Sequence, residues 1–333
     1  MIELALALQD KDGSYTEHAG VVLASVFNNT ASRVNVHILH DETLTEENKQ
    51  KLVQLTTRYK HTINFYPIVL PEEMLQAMAA VSSINIWTPA CMYRLLLPAL
   101  VQVEKIIYLD CDVLVNMDIA ELWNIDLQHH YLGAIWDQGI REVANVISDK
   151  GLNPDVYFNS GVVLFSLNNI RSHVTWYEET INFLRNYPNS TMPDQDALNA
   201  VFGGNYLPLD FRFNFFNMTT PDHDYSNKIV HFTGTVKFWD KESPGWSLYQ
   251  KYLGLTPWKV IKAVRRRRKR KVRYIRIRLK RTRKAKLRVK RPERIRVTFS
   301  ELKNISQGKS KRSSVIKSRK TSPLRPADPK LLP

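Results

Sequence analysis

Through its first 258 residues the chain alternates apolar, strand-like runs with helical patterns, and that alternation leaves few folds open to it. Residues 2–8, 34–39 and 61–69 read as strands, with an apolar-rich helix over 16–27 and an amphipathic one over 45–59 that Thr45 is placed to cap. Further strands are expected at 105–109, 131–136, 162–166 and 229–232. A β-α-β-α-β succession must cover both faces of its sheet with helices, so it predicts a single α/β domain around a mainly parallel, right-handed central sheet.

In such a sheet, ligands sit beyond the carboxyl ends of the strands. One predicted strand carries unusual residues there. Residues 108–115 read Tyr-Leu-Asp-Cys-Asp-Val-Leu-Val, in which Asp110 and Asp112 interrupt a run that would otherwise be a buried strand. Ionised carboxylates are costly inside an apolar core, so the pair is expected at the sheet edge, facing a cation. Hard ions such as Mg²⁺ and Mn²⁺ prefer a few carboxylates, water and phosphate oxygens, which makes a nucleotide diphosphate the leading ligand. The plainer alternative is that Asp110 caps the next turn and Asp112 is solvated.

Charge divides the chain sharply. From residue 259 onward 31 Lys and Arg face 3 Asp and Glu, a charge of +28, while the preceding 258 residues hold 17 and 29, a charge of −12; the formal +16 joins two opposite bodies. The division predicts a catalytic domain over 1–258 and a highly basic tail over 259–333, whose end, 306–333, has too little apolar content to fold alone. An apolar patch at 258–264 feeds a cationic run at 265–271, a pattern suited to an anionic membrane surface. Nucleic acid is the rival partner and a solvated tail the third reading; a tail almost without aromatic residues lacks stacking platforms for bases. Cys91 and Cys111 are too few for a disulfide framework and point to a reducing compartment. The N-terminus has neither a basic n-region nor a small-residue cleavage site, and no apolar run is long enough to span a bilayer. A cytoplasmic location, at most peripheral on the inner face of the cell membrane, is the resulting expectation.

Four further segments accompany the carboxylate pair: Tyr93-Arg94-Leu95, residues 157–162 (Tyr-Phe-Asn-Ser-Gly-Val), residues 194–199 (Asp-Gln-Asp-Ala-Leu-Asn) and residues 231–239 (His-Phe-Thr-Gly-Thr-Val-Lys-Phe-Trp). By its own chemistry, His231 at a strand end suits a neutral imidazole ligand, or else is a satisfied core histidine. Gly234 permits close backbone approach to an anion and Lys237 supplies a point charge. Arg94, in an apolar stretch, needs an anionic partner, either a structural carboxylate or a bound ligand. Asp194 is a natural N-cap for a helix that Gly203 and Gly204 end. The aromatic run 211–217 is assigned to the core, with no ligand.

Together the five segments, in this order, resemble glycosyltransferase family 8, the retaining family of bacterial lipopolysaccharide galactosyl- and glucosyltransferases and of glycogenin. The resemblance spans nearly all of residues 1–258. It implies a GT-A type, Rossmann-like domain that moves a hexose from a UDP-sugar to a glycan or lipid-linked acceptor. It also implies Mn²⁺ or Mg²⁺ held by Asp110, Asp112 and His231, with Cys111 between the two acids at the donor. Arg94 and Asn159 then contact the donor and Asp137 the sugar on the acceptor side. Asp194 binds donor-sugar hydroxyls, Gln195 lies near the anomeric carbon opposite the leaving group, and Lys237 with Gly234 meets the diphosphate. Ala7, Asp12 and Tyr15 fall where family members hold uracil and ribose, with Asp10 the other acid of that turn. Phe238 stands where a proline commonly follows the lysine. A neutral glutamine is a poor nucleophile, so no covalent intermediate is implied. The rival classes are a basic membrane- or nucleic-acid-binding protein with a catalytically silent domain, and a nucleotide-sugar hydrolase.

Overall fold

The computed structural model describes residues 1–83, 88–216 and 224–259. The expected basic tail, from residue 260 on, lies outside the described residues. A seven-stranded sheet in the order β3-β2-β1-β4-β7-β6-β8 forms the centre. Its strands are β1 (Ile2–Leu8), β2 (Val34–His40), β3 (Thr62–Pro67), β4 (Lys105–Leu109), β6 (Leu132–Trp136), β7 (Phe158–Ser166) and β8 (Tyr206–Pro208). A second, three-stranded sheet pairs β5 (Val113–Val115), β10 (Ile229–His231) and β9 (Phe215–Phe216) in that order.

The mainly parallel sheet expected from the β-α-β succession is present, and its register is regular: β1 pairs with β2 from Ile2↔Val34 to Leu8↔His40. Side chains alternate across the pleat, so one face buries Leu4, Leu6, Val36 and Ile38 under helix Tyr15–Asn29 while the other buries Ala5, Ala7 and Leu39. Thr45 does cap helix Glu46–Arg58, accepting from the Asn48 N–H. β3 is shorter than expected and ends at Pro67, a residue with no N–H to donate. Among the described residues no helix is long and apolar enough to cross a membrane.

One strand reverses direction. β7 runs antiparallel to both neighbours, with Lys105↔Ser166 and Leu109↔Val162 against β4 and Trp136↔Phe158 against β6. It also begins at Phe158, earlier than its apolar residues alone suggest, because polar Asn159, Ser160 and Gly161 sit inside its ladder. Reversal brings the start of β7 to the edge where β4 and β6 end, which gathers Asp110, Asp137 and Asn159 at one place. The Asp110 N–H donates to the Gly161 carbonyl at 2.8 Å and the Asp137 N–H to the Tyr157 carbonyl at 2.9 Å.

Candidate active site

Asp110, Cys111 and Asp112 fill the step between the end of β4 and the start of β5. His231 is the last residue of β10, paired to Val113. The two sheets therefore meet at this step, and one ligand atom each from Asp110, Asp112 and His231 lies within 4.8 Å of the others. Lys237 reaches in from the loop after β10, its Nζ donating to Asp112 Oδ2 at 2.7 Å and to the Phe232 carbonyl at 2.7 Å.

Arg94 comes from the 3₁₀ helix Pro89–Leu96, in the apolar stretch where its charge is most expensive. Its Nη2 donates to Asp110 Oδ1 at 2.7 Å, its Nη1 to the Ser160 carbonyl at 2.7 Å, and its Nε lies 3.2 Å from Asp194 Oδ2. The guanidinium also stacks 4.4 Å from the Tyr108 ring centroid. The structural-carboxylate reading of Arg94 is met, and both carboxylates line the cleft. Asp194 is not the helix N-cap: helix Pro193–Phe202 starts one residue earlier, with Met192 at the cap. Its carboxylate turns to Arg94 instead. Burial raises the Asp194 carboxyl above its usual range, and Arg94 opposes that rise.

Gln195 is held on both sides. Its carbonyl accepts the Ser160 N–H at 2.9 Å and its Nε2 donates to Asp137 Oδ2 at 2.9 Å. Asn159 Nδ2 donates to the same Asp137 oxygen at 3.0 Å. These residues, with Arg94, Asp110, Asp112, Asp194, His231 and Lys237, line one cleft of about 570 Å³.

The turn after β1 is arranged differently. Asp10 is the buried acid, its Oδ1 accepting the N–H of Tyr15 at 2.8 Å and of Thr16 at 3.2 Å, so it holds the start of the first helix. Asp12 is exposed and accepts the Ser14 N–H and hydroxyl at 2.9 and 2.7 Å. It borders a separate hollow, and the structure does not bring it into the cleft. Ala7 and Cys111 touch behind the carboxylate pair, with Cys111 Sγ 3.5 Å from the Ala7 carbonyl. The Tyr15 phenol is close as well: burial raises its pKa, with Cys111, Asp112 and Asp110 adding to the rise. Gly234 lies half-buried in the loop leading to Lys237.

Three residues of the site escaped the sequence reading. A Cβ on Gly161 would sit 2.2 Å from His231 Cε1 and 2.9 Å from Asp110 Oδ2, so only glycine fits beneath this cluster. A glycine inside a strand marks close approach, but the strand expected at 162–166 left Gly161 outside it. Ser160 binds both Arg94 and Gln195 through its backbone. Asn214, 0% exposed, lies 3.0 Å from His231 Nδ1 through its Oδ1 and belongs to the aromatic run taken as plain core.

The cluster fits a divalent cation. Asp112 Oδ1 is buried without a hydrogen-bond donor and faces His231 Nε2 at 3.2 Å, an arrangement of two electron-pair donors around a point. Burial raises the Asp112 carboxyl, but a protonated His231 and the Lys237 ammonium outweigh it and hold it well below the usual carboxylate range, Lys237 alone remaining as the counter-charge once the ring is neutral. It is therefore ionised and ready to ligate at neutral pH. Asp110, Asp112, Asp137 and Asp194 outnumber Arg94 and Lys237 in the cleft, so a diphosphate would be repelled unless a cation accompanied it.

A profile of glycosyl transferase family 8 matches residues 7–243. A putative glycosyltransferase of Haemophilus influenzae is 32% identical over 246 residues, 69% of this chain and 72% of that one. The lipopolysaccharide 1,2-glucosyltransferase of Escherichia coli is 27% identical over 268 residues, 74% of this chain and 77% of that one. Among solved structures, galactosyltransferase LgtC in complex with donor and acceptor sugar analogues superposes with a TM-score of 0.66 at 23% identity, covering 77% of this chain and 96% of that one. That likeness bears on the fold, which is of the same GT-A type.

Proposed function

The chain belongs to glycosyl transferase family 8, and from that membership we propose that it moves galactose or glucose from a UDP-sugar to a hydroxyl of a glycan or lipid-linked acceptor, with retention at the anomeric carbon. The observation that carries the reading is the donor-less Asp112 Oδ1 facing His231 Nε2 beside Asp110, at the edge where a nucleotide ligand belongs. Mn²⁺ or Mg²⁺ held by Asp110, Asp112 and His231 would supply Lewis-acid neutralisation of the departing UDP.

The protein's own groups do the rest. Lys237, paired with Asp112 at the metal cluster, would offer its ammonium to the leaving diphosphate. Arg94 keeps Asp110 and Asp194 in place, and Asp194, Asn159 and Asp137 offer oxygen and amide groups to sugar hydroxyls on both sides of the scissile bond. Gln195 is pinned by Ser160 and Asp137, which suits a neutral dipole held near the anomeric carbon better than a nucleophile. Ala7, Asp12 and Tyr15 are proposed for the base and ribose, with Asp10 committed to the helix start and Asp12 bordering a hollow beside the cleft. Acceptor attack from the leaving-group side, with a phosphate oxygen taking the proton, needs no dedicated protein base.

UDP release from a panel of UDP-sugars, with and without acceptors, tests this reading. Chelation and Asp112→Asn should each abolish transfer while leaving the fold intact, because only charge at the site is lost. Undiminished turnover in either case overturns the metal assignment, and release that ignores every acceptor marks a hydrolase.

For the basic tail we propose attachment to an anionic membrane surface in the service of cell-envelope glycan synthesis. The full chain should bind anionic vesicles and release them as salt shortens the Debye length to about 8 Å and below. Equal vesicle binding by a chain ending near Trp258 would refute that role, and salt-resistant binding to one nucleic-acid sequence would favour the rival partner.

A further inference from the structure

We infer that Asn214 is a positioning residue that fixes the tautomer of His231 and ties the metal ligands to the groups that hold the sugar. The inference rests on the metal reading above for its consequence, but its starting point is a backbone amide whose polarity is beyond dispute.

The Gly161 N–H can only donate, and it donates to Asn159 Oδ1 at 2.9 Å. That fixes which end of the Asn159 amide is oxygen. The opposite end, Nδ2, therefore donates to Asp137 Oδ2, as its 3.0 Å contact requires. Asn159 Oδ1 has a second neighbour, Asn214, at 2.9 Å, and an oxygen there needs a donor, so Asn214 must present Nδ2. Its own oxygen is then left facing His231 Nδ1 at 3.0 Å. An oxygen opposite a ring nitrogen requires the proton on that nitrogen, which leaves Nε2 of the neutral ring bare. Nε2 is the atom aimed at Asp112 Oδ1, 3.2 Å away.

Every side chain from Asn159 to the ring is buried: Asn159 is 7% exposed, Asn214 0% and His231 4%. Water cannot substitute a different polarity, so the direction set at Gly161 runs through to the histidine. The same row continues the other way, from Asn159 to Asp137 and on to Gln195 Nε2 at 2.9 Å. Asn214 thus does two things with one side chain. Its oxygen prepares a metal ligand, and its nitrogen steadies the residues proposed to meet the sugar.

Two variants separate these effects. Asn214→Leu removes both contacts; Asn214→Asp keeps an acceptor for His231 and loses the donor to Asn159. In metal-free wild-type protein at about pH 9, above the usual histidine range, ¹⁵N shifts should show His231 protonated on Nδ1 alone. Asn214→Leu should mix the tautomers and weaken Mn²⁺ binding in the presence of UDP by about 10- to 100-fold, the usual cost of losing such a partner. Asn214→Asp should recover most of the Mn²⁺ affinity yet keep a lowered kcat, because its second acceptor oxygen repels Asn159. An Nε2-protonated histidine in the wild type, or wild-type Mn²⁺ affinity in Asn214→Leu, overturns the inference. Should Asn214→Leu fail to fold, the wild-type shifts and the affinity–kcat split of Asn214→Asp still decide it. If the wild type shows the Nδ1 tautomer but no metal-dependent UDP release, the functional reading has failed and this one has not.

Discussion

Helix Pro193–Phe202 carries two aspartates two residues apart, and both meet a buried cation, yet the two pairs are built to opposite ends. Asp196 is 0% exposed and fully satisfied: Lys150 Nζ donates at 2.9 Å, Ser190 Oγ at 2.6 Å, and the Tyr157 hydroxyl completes the set. Asp194 shares Arg94 with Asp110, whose side chain is 25% exposed, and both acids face the cleft. One pair is closed and the other is open. A closed pair can only hold the fold, whereas an open one holds its geometry while leaving lone pairs for a ligand. Residue type and burial alone do not tell them apart; the number of internal donors does.

The largest effect should come from breaking the closed pair. Lys150→Met leaves Asp196 as a buried charge with no cation, and unfolding by denaturant should show a loss of about 3–5 kcal/mol. Steady-state kinetics on the protein still folded should give a kcat close to wild type, and a site-like collapse of kcat at unchanged stability would erase the distinction. Next, Arg94→Lys keeps the charge of the open pair but not its fork. It should lower kcat by about 10²-fold, as loss of a placed donor at a reacting centre does, with a smaller change in stability than Lys150→Met. The smallest effect is expected at Ser190→Ala, where one of three donors to Asp196 goes and two remain. Thermal unfolding should register about 1 kcal/mol and turnover should not change.

The central frame was legible because its strands are continuous apolar runs with regular helical spacers. Asp110 and Asp112 stood out for the same reason, as charge where the pattern forbids it. What escaped had a local signal pointing elsewhere. Asn159-Ser160-Gly161 is small and polar just before the apolar run begins, and only the pairing of Phe158 and Asn159 with β6 and the Asp110 N–H on the Gly161 carbonyl make it strand. β8 and β9 are three and two residues long, too short for any period to register. Asp194 looked like an N-cap, although Pro193 just before it is a first-turn residue and places the helix start earlier. Asn214 lay among phenylalanines, where composition says core; its role depends on a histidine 17 positions away. Asp12 and Asp10 could not be ranked from sequence, because which one is buried depends on Asn48, whose Nδ2 donates to Asp10 Oδ2 at 2.8 Å.

The reversed strand β7 has a bearing on how such a cleft can change. Its opening residues lie beneath Asp110, His231 and Gln195 and are held by cross-ties more than by a ladder: Phe158 and Asn159 pair with β6, the Gly161 carbonyl takes the Asp110 N–H, and Ser160 is bound by Arg94 and Gln195, so this floor should open later than the loops around it. Departure of a product cannot be eased by lowering it. Nor can a different sugar be admitted by bending it, so a change of donor in this chain would have to come from side-chain replacement at the rim.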